Sequence, residues 1–302
     1  MSRIASAFAN GGSGGGGVGN GGGGNGGASA FANGGNNKAF IAFVTGGDPS
    51  LKRSEEYILA LIEGGADLIE IGIPFSDPIA EGADIQDANL RALAAGTTVD
   101  GIFELVRSLR LKTQVPFVLL TYLNPVYHYG YEAFFAACAD VGVDGIIIAD
   151  LPYEEKGELA FTAAAHGVDV ISLIAPTSAE RIATIAADAT GYIYLVSSLG
   201  VTGMRSEINT DLASLTRLIR ATTDVPVAVG FGVHTPEQAA SIAQVADGVI
   251  VGSAIVRMIA EGVAKESAEG FDKDYPENST KAHAALITTL RTYAHTMKKA
   301  LR

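Results

Sequence analysis

From Ala39 to the C-terminus the chain alternates short β-branched apolar runs with longer stretches whose apolar residues recur at helical spacing. Eight strand-like runs can be read, at 39–44, 67–73, 116–121, 145–149, 169–174, 192–196, 226–229 and 248–251. The runs are nearly continuous in apolar character, which predicts strands covered on both faces and so an all-parallel sheet. Helices are predicted after the first strand to about residue 63, then at 85–95, 99–111, 131–140, 154–166, 179–187, 212–221, 236–244, 253 to about 261, and 280–300. Eight strand–helix units select a closed TIM (β/α)8 barrel with extra helices over an open doubly wound sheet. No dinucleotide fingerprint follows the first strand, which weighs the same way. A barrel of about 250 residues plus extras fits the length of 302 residues.

Residues 1–37 differ from the rest. Ala5-Ser6-Ala7-Phe8-Ala9-Asn10-Gly11-Gly12 recurs unchanged as Ala28-Ser29-Ala30-Phe31-Ala32-Asn33-Gly34-Gly35, with a Gly/Asn/Ser run between. Such a run cannot bury enough surface to offset its conformational entropy, so a disordered segment (1–37) ahead of a catalytic barrel (38–302) is expected. On that reading, deleting residues 2–24 leaves activity unchanged. The run is no phosphate loop, because no strand leads into it and no Gly-Lys-Ser/Thr closes it.

A net charge of −12 disfavours a nucleic-acid partner, which needs a basic face. Charged residues interrupt every apolar run before membrane-spanning length, and no secretory leader opens the chain, so a soluble cytoplasmic protein is expected. The single cysteine, Cys138, lies in an apolar helical stretch and reads as a buried structural thiol. No Cys/His spacing fits a metal, so none is expected.

The chemistry concentrates in residues 65–82, GADLIEIGIPFSDPIAEG. Glu70 stands inside an apolar strand, where a packing side chain is the norm. A lone strand Glu usually faces solvent, but apolar flanks on both sides count against that here. Phe75-Ser76-Asp77-Pro78 reads as a turn, and Glu81-Gly82 closes the loop ahead of a helix. An acid at a strand end and a second on the next loop form a candidate two-carboxylate site. Gly200, Thr202 and Gly203 follow strand six, Gly232 follows strand seven, and Gly252-Ser253 stand at a helix start after strand eight. Glycines there let backbone amides approach an anion, and loops after strands seven and eight are a recurrent phosphate place in this fold. The long polar loop 201–209 reads as a closing lid.

These stretches, with Thr45-Gly46-Gly47-Asp48-Pro49, Gln86-Asp87-Ala88-Asn89, Thr121-Tyr122-Leu123-Asn124-Pro125, Gly200-Val201-Thr202-Gly203 and Gly252-Ser253-Ala254-Ile255, resemble the tryptophan synthase α subunit family in order from about Lys38 onward. The resemblance implies reversible retro-aldol cleavage of indole-3-glycerol phosphate to indole and glyceraldehyde 3-phosphate. It implies Glu70 as catalytic acid/base and Glu81 as the carboxylate holding the indole N–H. Many family members carry Asp at the position of Glu81 and Pro at that of Ala83. Tyr122 resembles an aromatic of the indole pocket, or is a core tyrosine satisfied by a backbone partner. Phe43, Leu120 and Ile147 are expected as apolar walls, and Thr202, Gly203, Gly232, Gly252 and Ser253 as phosphate contacts. Asp77 either caps its turn or contacts the family's β subunit, and Asp150-Leu151-Pro152 is either a helix-entry cap or an inter-subunit element. That β subunit, in an α2β2 heterotetramer, carries pyridoxal phosphate; no cofactor is expected in this chain. Family members open with a short helix under the barrel floor, a place for which the second octet, nearer the first strand, is preferred. Alternatives are a stand-alone lyase releasing free indole, a silent subunit that only activates its β partner, and more distantly a sugar-phosphate isomerase or engineered barrel scaffold.

Overall fold

The computed structural model describes residues 1–9, 38–196, 211–230, 232–268 and 281–302. Its strands are β1 (Ala39–Thr45), β2 (Leu68–Gly72), β3 (Phe117–Thr121), β4 (Gly145–Ile148), β5 (Asp169–Val170), β6 (Ser172–Ile174), β7 (Ile193–Val196), β8 (Val227–Gly230) and β9 (Gly248–Val251). All pair in parallel, in the order β5-β4-β3-β2-β1-β9-β8-β7-β6. The two end strands are consecutive halves of the single strand expected at 169–174, β5 bonding to β4 and β6 to β7. The sheet is therefore the expected ring of eight, with its fifth strand broken at Ile171.

The helices are α1 (Arg3–Ala9), α2 (Leu51–Glu63), α3 (Ala83–Ala94), α4 (Val99–Arg110), α5 (Leu123–Tyr129), α6 (Tyr131–Val141), α7 (Gly157–Ala165), α8 (Ala179–Ala187), α9 (Leu212–Arg220), α10 (Pro236–Ala243), α11 (Ser253–Ala268) and α12 (Lys281–Ala300). Several start where the sequence places a cap: Ser50, Thr98, Ser178 and Thr235 each accept a backbone N–H in the first turn. The helix α5 was not expected from the sequence. Pro125 falls in its first turn, where a missing N–H costs nothing, and Asp150 accepts the Leu123 N–H at 2.7 Å. Asp150 thus ties the start of α5, rather than that of the helix following it in the chain, to the end of β4.

Strand parity sorts side chains into two cores. Phe40, Ala42, Val44, Ile69, Ile71, Phe117, Leu119, Ile146, Val227 and Val249 belong to the outer cluster under the helices. Their neighbours Ile41, Leu68, Val118, Ile147, Tyr192, Tyr194, Ala228 and Ile250 fill the barrel interior together with Ile4 and Ala7 of α1.

That packing corrects the reading of the N-terminus. The first octet supplies a helix under the floor, the place for which the second was preferred. Ile4 is fully buried, and the Phe8 ring packs tilted against Tyr192 with centroids 5.7 Å apart. Arg3 donates to Asp144 at 2.6 Å and to the Gly142 carbonyl at 3.1 Å. Asp144 also takes Arg110 and the Phe117 N–H, so one carboxylate joins α1, α4 and β3. The second octet is preceded by Gly26-Gly27 where the first has Arg3-Ile4. Proximity to β1 was the weaker criterion. Residues 10–37, including the second octet, lie outside the described residues.

Candidate active site

Along β2, Leu68 and Glu70 share the inward parity while Ile69 and Ile71 pack outward. Glu70 sits opposite Phe43 of β1 and Val118 of β3. It is almost fully buried, and the Tyr192 hydroxyl donates to its Oε1 at 2.5 Å. Loss of water around the charged form pushes its pKa up to about 7, against the opposing pull of the tyrosine bond. Glu70 is thereby divided between acid and base near neutrality, as a proton-transfer group must be.

Glu81 stands at the end of the loop after β2, just ahead of α3, and is also buried. Its Oε2 accepts from the Tyr122 hydroxyl. Burial raises its pKa, the Tyr122 bond lowers it, and the nearby Asp150 charge adds a smaller upward push.

The two carboxylates line one cavity of about 280 Å³ at the C-terminal ends of the strands. Phe43, Leu120 and Ile147 form apolar wall, and Gly232, Gly252 and Ser253 line it as well. Phe43 reaches the cavity because its neighbours lack side chains: a Cβ on Gly72 would lie 2.8 Å from its ring, and one on Gly252 3.3 Å. Ser253 opens the long helix α11; its own N–H and that of Ala254 precede the first bonds of the helix, which Ile255 and Val256 make to the Gly252 carbonyl, and such leading amides favour an anion. Gly232 has φ +86°, a backbone state that L side chains rarely adopt.

Tyr122 does not belong to the cavity wall; it stands behind Glu81. Asp77 lies exposed on the β2–α3 loop, outside the cavity, bonded to Ser76. Thr202 and Gly203, with Gly200 and the expected lid 201–209, fall outside the described residues. Sequence reading overlooked Tyr194 and Val196, which line the cavity from β7, and Tyr192 below it. Period-two alternation from Tyr192 places all three inward, but every barrel strand offers such a set, so nothing marked them as special.

The family model for the tryptophan synthase α chain matches residues 30–290. The chain belongs to the tryptophan synthase α chain family. A tryptophan synthase α chain of Lactiplantibacillus plantarum is 52% identical over 248 residues, covering 82% of this chain and 93% of that relative. One from Geobacter sp. strain M21 is 50% identical over 221 residues, covering 73% and 83%. Among solved structures, the tryptophan synthase α subunit of Legionella pneumophila strain Paris superposes with a TM-score of 0.76 at 31% identity, over 100% of this chain and 98% of its own. A Pyrococcus furiosus structure, titled as the α2β2 complex of tryptophan synthase, superposes with a TM-score of 0.74 at 36% identity, over 86% and 97%. Family membership gives the two-carboxylate cavity its chemical context.

Proposed function

We propose that this chain cleaves indole-3-glycerol phosphate by a reversible retro-aldol reaction, as the α subunit of tryptophan synthase in tryptophan biosynthesis. The observation that carries the reading is the pair of buried carboxylates, both with pKa raised by burial, in one apolar cavity with an anion-favouring helix start on its wall. Protonated Glu70 delivers its proton to indole C3, turning the ring into a cationic leaving group. Ionised Glu81 accepts the indole N–H and stabilises that cation. The C–C bond then breaks, its electrons return to the ring, and the substrate hydroxyl becomes the aldehyde of glyceraldehyde 3-phosphate. Its proton goes to Glu70, so the group ends as it began. The cavity walls, Phe43, Leu120 and Ile147, hold the indole. Ser253, Gly252 and Gly232 take the phosphate, with Thr202 and Gly203 completing that set.

A β subunit is the proposed partner, in an α2β2 assembly like that named for the Pyrococcus relative. Exposed Ile79 beside Asp77, and exposed Tyr127 on α5, give the mouth of the barrel apolar points suited to such a contact. Among the described residues no helix is long and apolar enough to cross a membrane, and a cytoplasmic location is proposed. The division into an N-terminal segment (1–37) and a catalytic barrel (38–302) is kept as a proposal, amended by the docking of α1.

The test is indole release from indole-3-glycerol phosphate by the chain alone and with a tryptophan synthase β subunit, beside Glu70→Gln. Slow turnover alone, stimulation by the β subunit and loss in the variant are expected. Fast turnover alone would instead identify a free-indole lyase, and no turnover in any mixture would refute the assignment.

A further inference from the structure

Tyr122 closes β3 and precedes the first residue of α5, so its backbone is fixed from both sides. Its ring stacks on Phe75 with centroids 5.2 Å apart and is almost fully buried. The phenol oxygen accepts the Ile79 N–H at 3.0 Å and the Ala80 N–H at 2.9 Å, while the hydroxyl proton goes to Glu81. One donor and two acceptor sites are all that a tyrosine hydroxyl has. Every one of them is used within the protein, on three residues of the same loop. Such a group has no capacity left to bind substrate, but it controls where Glu81 points.

We propose that Tyr122 is the positioning residue of Glu81, holding one carboxylate oxygen so that the other serves the substrate's ring nitrogen. This inference rests on the proposed reaction. A glutamate arm has three rotatable bonds, and a carboxylate free to swing would lose the geometry on which charge stabilisation depends. The Tyr122 hydroxyl fixes the arm at its tip and, through the Ile79 and Ala80 amides, fixes the loop that carries it. A second consequence is chemical. A hydrogen bond donated to the carboxylate favours its ionised form, which the cation-stabilising role requires, against the burial that opposes it.

The experiment is steady-state cleavage of indole-3-glycerol phosphate by the full chain, with β subunit present, between about pH 5 and 9. Tyr122→Phe removes the hydroxyl and keeps the stacked ring. It is expected to lower kcat by about 10- to 100-fold while KM changes less than about twofold. The acid limb of the profile should move to higher pH by about one unit, because Glu81 loses the bond to its charged form. In a Glu81→Gln background the same change should cost less than about twofold, since the two residues act as one unit. Ile79→Pro, at an exposed loop position, deletes one of the two amide donors and should move the limb the same way by less. This variant serves also if Tyr122→Phe does not fold. A kcat and acid limb matching the parent chain in every variant that folds would overturn the inference. So would an undiminished Tyr122→Phe loss in the Glu81→Gln background. A parent chain that turns over no substrate would fail at the earlier step, refuting the reaction and this inference with it.

Discussion

Glu70 and Glu81 are the same side chain, buried on the wall of the same cavity and each held by one tyrosine hydroxyl, but they are carried by different elements. Glu70 belongs to a strand, so its direction is set by sheet parity and needs no further device. It receives one hydroxyl bond, from Tyr192, and burial prevails, leaving a group with a pKa of about 7. Glu81 belongs to a loop, and its direction must come from side-chain bonds. The Tyr122 hydroxyl supplies one, and the Gln86 amide holds the backbone by donating to the Glu81 carbonyl at 2.8 Å. Burial raises the pKa of both, so what separates them is how each is aimed, one by its strand and the other by bonds to its loop.

The sharpest way to break this contrast is to remove the proton carrier. Glu70→Gln should lower kcat by about 10³-fold or more, with substrate affinity nearly unchanged, as single-turnover rates beside equilibrium binding would show. A loss no larger than that of a wall substitution would end the assignment. Glu81→Gln should cost about 10²- to 10³-fold, because the neutral amide cannot stabilise a ring cation. Its pH profile should lose the acid limb while keeping the alkaline fall near Glu70's pKa of about 7.

The same contrast can be read in stability. Glu70 binds its proton more tightly in the folded state than in the unfolded one, where its pKa is 4.5. Its contribution is therefore fully present below about pH 4.5 and is lost as pH rises through about 7. Glu70→Gln abolishes that loss, worth at most about 3 kcal/mol. The variant's denaturation midpoint should gain on the parent between pH 5 and pH 8; a constant difference would show that Glu70 is not the titrating group. The smallest effect lies on the floor, away from both acids. Ile4→Ala should destabilise by about 2 kcal/mol in urea unfolding, with less effect on kcat than either carboxylate change.

Sequence periodicity sufficed for the ring of strands because the outer core imposes period two on nearly every run, from Phe40–Val44 to Val249–Val251. The two acids were legible because a carboxylate in an apolar run is rare enough to stand out. Tyr192 and Tyr194 were not, since an inward tyrosine is what any barrel interior accommodates. The place of Tyr122 was hidden for another reason. Its partners Ile79, Ala80 and Glu81 lie far along the chain, and only the fold brings their loop to its hydroxyl. At the N-terminus the helix of the first octet is anchored by flanking Arg3 and Ile4, which lie outside the repeat.

The broken fifth strand has a consequence for how this barrel opens. Elsewhere a strand is bonded to a neighbour on each side, but β5 has its partner only in β4 and β6 only in β7. A cavity of about 50 Å³ lies behind the break, beside Val170, Ile171 and Ser172, and the buried Lys156 ammonium crosses it to Ser172 and Asp188. Half a ladder and a void leave little to resist local separation. Amide protons of residues 169–174 should exchange with deuterium sooner than those of β1–β3, marking the seam at which the closed ring can part into a single curved sheet.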